Sequence, residues 1–356
     1  MTYARSLIPL LQAQVDNLTV LYGKELATTF LEDEDAIQVQ NPWISGSRRF
    51  LWEQVHLKKV LNERGTQVLY TPYQVAIQPK AIKSVCALRN LEPFFAPQYR
   101  YTFKSATRNT LLRRLTRISL RRADRVIAVS DFALNYAVEF LGVPREKIVK
   151  VYHGRNESLL RDEVEIDETI RQNLGLSGPY VFTAGSILPY RRVEDVVAAF
   201  ERAIAPTDPQ SMLLIAGSGT DRQYDRVLRD IIESSPYRSR IRMLGYLTQR
   251  QMHALYKGCR VFVSASEIEA CPNIGIEAMT AGCAVIAAEA GPAREIYGDG
   301  SLFYSPRDVS TLADLMNTLW RGESLARELG RKAVARSSVF SWERCAKETA
   351  QVLLTT

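Results

Sequence analysis

Two glutamates, Glu269 and Glu277, bracket "EACPNIGIE", a run that is otherwise small, apolar or amide-bearing. It follows "RVFVSAS" (260–266), which reads as a strand, and its tail "IGIEAMTA" (274–281) is built of helix formers. Gly282 suits the position just past the helix and Asn273 the N-cap. That spacing puts Glu269 in the loop above the strand, Glu277 near the helix start, and the first amides of the helix between them. Such amides have no intrahelical partner and carry the positive end of the macrodipole, so they attract anions, a diphosphate among them. Carboxylates beside them accept hydrogen bonds from hydroxyls. The set therefore suits a ligand with sugar hydroxyls on both sides of a diphosphate, which is the shape of a nucleotide sugar. Spacing alone leaves a plainer alternative open, in which Glu277 only complements the helix dipole and Glu269 is a solvated loop acid.

A second motif supplies the cation. In "GSILPYRRVED" (185–195) a strand runs into a loop carrying Arg191 and Arg192. A guanidinium is a planar fork that matches phosphate oxygens. When a nucleoside diphosphate leaves an anomeric carbon, negative charge builds on phosphate and positive charge on the sugar ring, and a fixed cation with helix amides lowers that barrier without a metal. The alternative is a solvated basic loop.

The rest of the chain must hold these groups. At 356 residues it exceeds what one hydrophobic core organises, so two domains are expected. A 46% apolar and 24% charged composition is that of packed globular domains. The net charge of +7 favours anionic partners. Cysteines 86, 259, 271, 283 and 345 are odd in number and lack any CxxC pair, which points to reduced thiols and a cytoplasmic setting. No apolar run approaches the roughly 20 residues that span a bilayer, so membrane contact would be peripheral.

Strand-like runs recur at 18–23, 66–72, 84–90, 124–130 and 147–152, then at 180–186, 211–217, 241–246, 260–266, 283–290 and 301–306. They are continuous rather than alternating, as when helices cover both faces of a parallel sheet. The acidic, strand-poor stretch 156–180 suits a connection and places a boundary near residue 170. The reading is an α/β protein of two domains, 1–170 and 171–339, with ligand bound beyond the carboxyl ends of the strands in a cleft between them.

Other signals carry less. "DED" at 33–35 spells a D-x-D metal motif but lies in the acidic run "LEDEDA", and no metal site is expected. "GSG" (217–219) lacks the third glycine of a dinucleotide fingerprint. His56, His153 and His253 have no metal-ligand spacing. Residues 107–125 form a basic amphipathic helix that suits either an anionic membrane surface or a solvated arginine face. Nucleic acid is not expected, because no stacking aromatics interleave with the arginines.

Taken together, the motifs resemble the retaining glycosyltransferases of the GT-B fold, in the glycosyltransferase 4 (group 1) family, whose E-x7-E motif precedes an E-A-M-A-x-G helix and a P-V-I-like strand. Glu269, Glu277, "EAM" (277–279), Gly282 and "AVI" (284–286) match it, and segments 123–154, 180–200, 213–221 and 291–316 look like the family's in the expected order. The resemblance implies two Rossmann-like, doubly wound parallel-sheet domains facing a central cleft, with the C-terminal helix (340–356) crossing back to the first. It implies that Glu269 holds donor-sugar hydroxyls, Glu277 the nucleotide ribose, and the amides at Asn273 and Ile274 the sugar or phosphate. Arg191 matches the family's diphosphate-binding lysine. Ser186 stands where many relatives have a second arginine, leaving Arg191 and Arg192 to carry the charge. Gly217 and Tyr246 complete the donor-binding set.

Arg191 and Glu269 would then act in catalysis, the latter not as a nucleophile, with no cofactor beyond a UDP- or GDP-linked donor. The implied partners are that nucleotide sugar, a glycan or lipid-linked hydroxyl acceptor of envelope polysaccharide or glycolipid synthesis, and an anionic membrane surface met peripherally on its inner face.

The chain departs from the pattern in places. Arg89-Asn90 replaces a common His-Asp, and Cys271-Pro272 replaces a frequent Phe and Gly. The opening "MTYARSLIPLLQAQ" matches the helix after the family's first strand, so that strand is expected to be missing. A non-catalytic nucleotide-binding subunit with a shortened N-terminal domain is the alternative. A nucleotide-sugar epimerase is disfavoured, for no histidine lies in the motifs that carry Arg191, Glu269 and Glu277.

Overall fold

The computed structural model describes residues 2–22, 36–38, 52–160, 172, 174–176, 178–219 and 221–356. In chain order come α1 (Thr2–Gln12), β1 (Val20–Tyr22), β2 (Ala36–Gln38), α2 (Lys58–Glu63), β3 (Val68–Thr71), β4 (Lys83–Leu88), α3 (Glu92–Phe95) and α4 (Phe103–Arg122). They are followed by β5 (Arg125–Ala128), α5 (Asp131–Leu141), β6 (Ile148–Lys150), β7 (Tyr180–Ala184), α6 (Val193–Ala203), β8 (Met212–Ala216), α7 (Arg222–Ser234), β9 (Ile241–Gly245) and α8 (Gln249–Gly258). Last are β10 (Val261–Ser264), α9 (Asn273–Thr280), β11 (Val285–Ala288), α10 (Ala293–Tyr297), β12 (Ser301–Tyr304), α11 (Val309–Arg321), α12 (Glu323–Ser337) and α13 (Trp342–Leu354). Every apolar run singled out in the sequence holds a strand. The strand missed is β2, three residues placed directly after the acidic run.

The chain forms two compact units. The first comprises Met1–Arg89, Arg114–Gly154 and Ser341–Thr356. Its four-stranded parallel sheet has the order β3-β4-β5-β6, and β1 and β2 form a separate parallel pair. Val85, Ala87 and Ile127 of this sheet are buried with Tyr3, Leu7 and Leu11 of α1 and with Cys345, Ala346, Ala350 and Leu353 of α13. The last helix thus completes the core of the first unit, because its apolar stripe recurs at helical spacing and Ser341 caps its first turn by accepting from Arg344 N.

The second unit comprises Asn90–Arg113 and Arg155–Phe340. Its six strands are all parallel, in the order β12-β11-β10-β7-β8-β9. Such a sheet is buried on both faces. Val181, Leu213, Ile215, Val263 and Ile286 pack with Val196, Phe200, Leu312 and Met316 of α6 and α11 on one side. On the other, Phe182, Phe262 and Tyr256 meet edge to face, with ring centroids 5.5–5.8 Å apart. Each such buried side chain contributes about 1.5–3 kcal/mol, so this core is the main source of rigidity under the loops above it.

The division departs from a boundary near residue 170, falling after Gly154, and it groups residues 90–113 with the second unit. The physical cause is a pair of long-range anchors: Tyr99 Oη donates to Glu267, and Thr102 N and Oγ1 both donate to Asp221 Oδ2, at 3.0 and 3.1 Å.

Candidate functional site

In the second unit the chain steps from β7 outward to β9, then returns to the other side of β7 with β10 and continues to β12. Loops leaving β7 and β10 therefore diverge and open a crevice at the carboxyl ends of the strands. A pocket occupies this point, lined by Gly185, Ser186 and Arg191 after β7, Ala216 at the end of β8, and Ser264 and Ser266 at the end of β10. Glycine shapes its floor. A Cβ on Gly217, whose φ is 131°, would lie 1.7 Å from the Gly185 carbonyl oxygen, so the loops after β7 and β8 meet backbone to backbone. They are stitched by Gly185 N donating to Ala216 O at 3.0 Å and Ile187 N to Ser218 O at 3.1 Å.

The carboxyl end of β7 leads into a single 3-10 turn, Pro189–Arg191, whose buried Tyr190 roots the loop. Arg191 projects from it and its Nη1 donates to Glu269, forming an ion pair in which the two side chains are 20% and 15% exposed. Burial alone would favour a neutral guanidine, but the Glu269 carboxylate outweighs it and holds the Arg191 charge more firmly than usual. Arg191 Nε is buried and has no hydrogen-bond partner. Burial pushes the Tyr190 phenol up to about 12 against the opposing pull of Arg191. Glu269 is thus no solvated loop acid; it is half of a sheltered pair at the pocket's rim.

Arg192 behaves differently. Its backbone is left-handed (φ 49°), and its guanidinium turns to the start of α6, onto Asp195 at 3.0 and 2.8 Å and Glu194 at 2.6 Å. Its charge is therefore engaged within the loop and the helix that follows.

Helix α9 begins at Asn273, so Pro272 is its N-cap residue and no side chain caps it. This corrects the expectation of an Asn273 cap: proline fixes its own φ near the value a helix entry needs, which lets the helix start one residue earlier, at Asn273. Asn273 is exposed and Ile274 half-buried. Gly282 adopts φ 82° just past the helix, as its position predicts. Glu277 is the fifth residue of α9, beyond the first turn, where the dipole has little hold. It is held instead by Tyr256 of α8, whose Oη donates to Glu277 Oε2 at 3.1 Å. Burial raises the Glu277 pKa, and the Tyr256 hydrogen bond offsets only part of that. Gly275 lets α9 approach Tyr297, whose hydroxyl would lie 2.0 Å from a Cβ there and which donates to Ser264 Oγ at 3.0 Å.

Of the residues the sequence singled out, Arg191, Glu269, Ser186 and Gly217 converge at the switch between β7 and β10. Glu277, Asn273 and Ile274 share α9. Tyr246 follows β9, the edge strand, and is 85% exposed. Sequence reasoning missed Tyr190, Tyr99, Glu267 and Arg307, of which only Glu267, a further acid in the loop that carries Glu269, left any trace in the pattern. Among the described residues no group of three or more His, Cys, Asp or Glu side chains is placed to hold a metal ion, and "DED" at 33–35 lies outside those residues.

Two family descriptions match consecutive parts of the chain: Glycosyltransferase Family 4 over residues 2–159 and Glycosyl transferases group 1 over residues 166–336. The serotype-specific mannosyltransferase WbdA of Escherichia coli is 24% identical over 266 residues, which is 74% of this chain and 32% of WbdA. The chain thus spans about a third of the length of that relative. Among solved structures, HepE of Anabaena in complex with UDP and glucose superposes with a TM-score of 0.76 at 20% identity, covering 99% of this chain and 96% of that one. Sucrose-phosphate synthase from Thermosynechococcus elongatus does so with a TM-score of 0.74 at 21% identity, covering 90% and 82%. The likeness is one of fold, and the fold is GT-B.

Proposed function

Because the chain belongs to the group 1, family 4 type of glycosyltransferases, we propose that it moves a sugar from a nucleoside-diphosphate donor to a hydroxyl acceptor of envelope polysaccharide or glycolipid synthesis, with retention at the anomeric carbon and without a metal ion. The observation that carries this reading is the sheltered Arg191–Glu269 pair at the β7/β10 switch. A diphosphate seated there competes for Arg191, whose charge is permanent, and frees Glu269 to accept hydrogen bonds from donor-sugar hydroxyls. Ser186 and the Ile274 amide in the first turn of α9 suit the remaining phosphate oxygens, while the Asn273 N–H already donates to Cys271 O at 3.0 Å and that residue meets the donor through its side-chain amide. Glu277 suits the ribose, Gly217 keeps the loops after β7 and β8 in contact beneath the nucleotide, and Tyr246 borders its far end. As the bond to the anomeric carbon breaks, charge grows on the departing phosphate. Arg191 is already fixed there, so it stabilises the transition state more than the ground state.

The name of WbdA supports a mannosyl donor, and the UDP bound by HepE supports a uridine one. A panel of GDP- and UDP-sugars is therefore the test. Donor hydrolysis and transfer are followed with excess chelator present, and the anomeric configuration of the product is read by NMR. Failure of every donor to bind overturns the reading. Loss of turnover on chelation overturns its metal-independent part.

No helix among the described residues is long and apolar enough to cross a membrane. Helix α4 exposes Phe103 (88%), Leu111 (56%) and Ile118 (47%) among Arg108, Arg113, Arg114, Arg117, Arg121 and Arg122. This face supports peripheral binding to anionic lipid on the cytoplasmic side. Co-sedimentation with phosphatidylglycerol vesicles that is lost at high salt is the expected result.

A further inference from the structure

Only two residues other than glycine have positive φ among those described, Arg192 at 49° and Arg307 at 69°. An L-residue in this region is strained, and such strain persists only where surrounding contacts impose it. For Arg192 those contacts are Glu194 and Asp195. Arg307, in the turn between β12 and α11, is 56% exposed and would be served better by glycine unless its side chain had a task.

That task is visible. Arg307 forks onto Glu267, Nε donating to Oε1 at 2.6 Å and Nη2 to Oε2 at 3.0 Å. Tyr99 Oη donates to the same Oε2 at 2.6 Å. Glu267 is 9% exposed on its side chain, and burial pushes its pKa up, but the hydrogen bonds from Arg307 and Tyr99 prevail and keep it ionised below the usual glutamate range. Its backbone N–H donates to Tyr190 O at 2.8 Å, and the Tyr99 ring meets Tyr190 edge to face at 6.4 Å. Tyr190 immediately precedes Arg191, and Glu267 lies two residues before Glu269. One residue, Glu267, therefore ties together four segments: its carboxylate joins the loop after β10 to the loop after β12 and to residue 99, and its N–H joins it to the loop after β7.

We propose that Tyr99, Glu267 and Arg307 form a clamp that positions the Arg191–Glu269 pair, with Glu267 as its central positioning residue. The clamp rests on the donor-site reading for its purpose but not for its existence. It explains why an arginine persists where the backbone favours glycine: the bidentate contact fixes the loop after β10, whose Glu267 N–H holds Tyr190 O and whose Glu269 holds Arg191, so the cation stays set for the leaving phosphate.

Arg307→Gly separates this from a merely structural role, because it removes the fork while relieving the strained backbone. The melting temperature is expected to change little, because relief of the left-handed backbone offsets part of the lost fork. Hydrogen exchange in peptides covering 186–192 and 266–272 is expected to quicken about tenfold, with helix α6 unchanged. UDP or GDP, whichever the wild type binds, is expected to bind about tenfold more weakly, because the cation is no longer preorganised. Arg307→Lys, which keeps the charge but not the fork, restores part of the protection, and Tyr99→Phe loses a smaller part. Unchanged exchange in both peptides overturns the clamp, as does unchanged nucleotide affinity. If the wild type binds neither nucleotide, the donor-site reading falls and the exchange measurement still decides the clamp.

Discussion

The two units use the same materials to different ends. In the first, the four-stranded sheet runs β3-β4-β5-β6, each strand added beside the last, so successive strand-to-helix loops among the described residues leave in step. In the second, the order β12-β11-β10-β7-β8-β9 reverses between β7 and β10, and there the loops part to leave a pocket. Each sheet carries an arginine just past one of its strands. Arg89, after β4, lies 3.7 Å over the ring of Tyr3 and donates to Pro72 O at 3.2 Å, a packing arrangement. Arg191, after β7, meets a carboxylate at a crevice. The same residue type is packed away or lines a pocket according to whether the topology opens space in front of it.

Removing the two arginines tests that lesson most severely. Arg191→Ala is expected to lower donor turnover by about 10²–10³-fold, the usual loss when a preorganised donor to developing charge is removed. Arg89→Ala is expected to leave nucleoside-diphosphate affinity within about twofold, although it lowers stability through lost packing on Tyr3. Isothermal titration with UDP and GDP, beside turnover, distinguishes them. Equal losses for the two variants would dissolve the contrast.

Glu277→Gln sharpens it further. Glutamine keeps an acceptor for the Tyr256 hydroxyl but removes a carboxyl that burial disfavours when ionised. Because the folded pKa is raised above the unfolded value, the native state holds its proton more tightly. Stability is then highest below the ordinary glutamate value of 4.5 and falls as pH rises through the raised pKa. The variant is expected to lose that slope and to be the more stable protein at neutral pH in thermal melts, while binding nucleoside diphosphate about tenfold more weakly for want of a charged acceptor. Tighter binding would remove Glu277 from the site.

Much of this was legible in the sequence, for identifiable reasons. A parallel strand covered on both faces must be a continuous apolar run, so β7, β8, β10 and β11 declare themselves, and with them the loops just past their carboxyl ends. Arg191 and Glu269 were found that way. The clamp was not, because Tyr99 and Glu267 are 168 residues apart and no local pattern joins them. Arg307 hid for another reason: its side chain is an ordinary surface arginine, and only the backbone angle betrays it. Residues 90–113 were assigned to the first unit because they follow its strand β4, whereas Asp221, far along the chain, holds Thr102. Short, local preferences decided smaller errors, as with Pro272 displacing Asn273 from the cap.

The smallest effect on the site is expected from a polar contact in the core of the other unit. The hydroxyls of Tyr3 and Tyr70 are 2.5 Å apart, between α1 and β3, and burial raises both phenols far above their ordinary range. Tyr3→Phe leaves the Tyr70 hydroxyl without this partner in a place water does not easily reach, a change that costs about 1–3 kcal/mol. With two compact units present, unfolding need not be two-state, so the loss belongs to the melting transition that reports the first sheet. Tryptophan fluorescence can follow it, since Trp342 packs edge to face on Tyr3 at 5.6 Å. Nucleoside-diphosphate affinity at a temperature where both units stay folded is expected to be unchanged, since the hydroxyl pair acts through the first unit's core and touches no group lining the crevice at β7 and β10. A loss of affinity that tracks the loss of stability would mean that the crevice of the second sheet depends on the packing of the first.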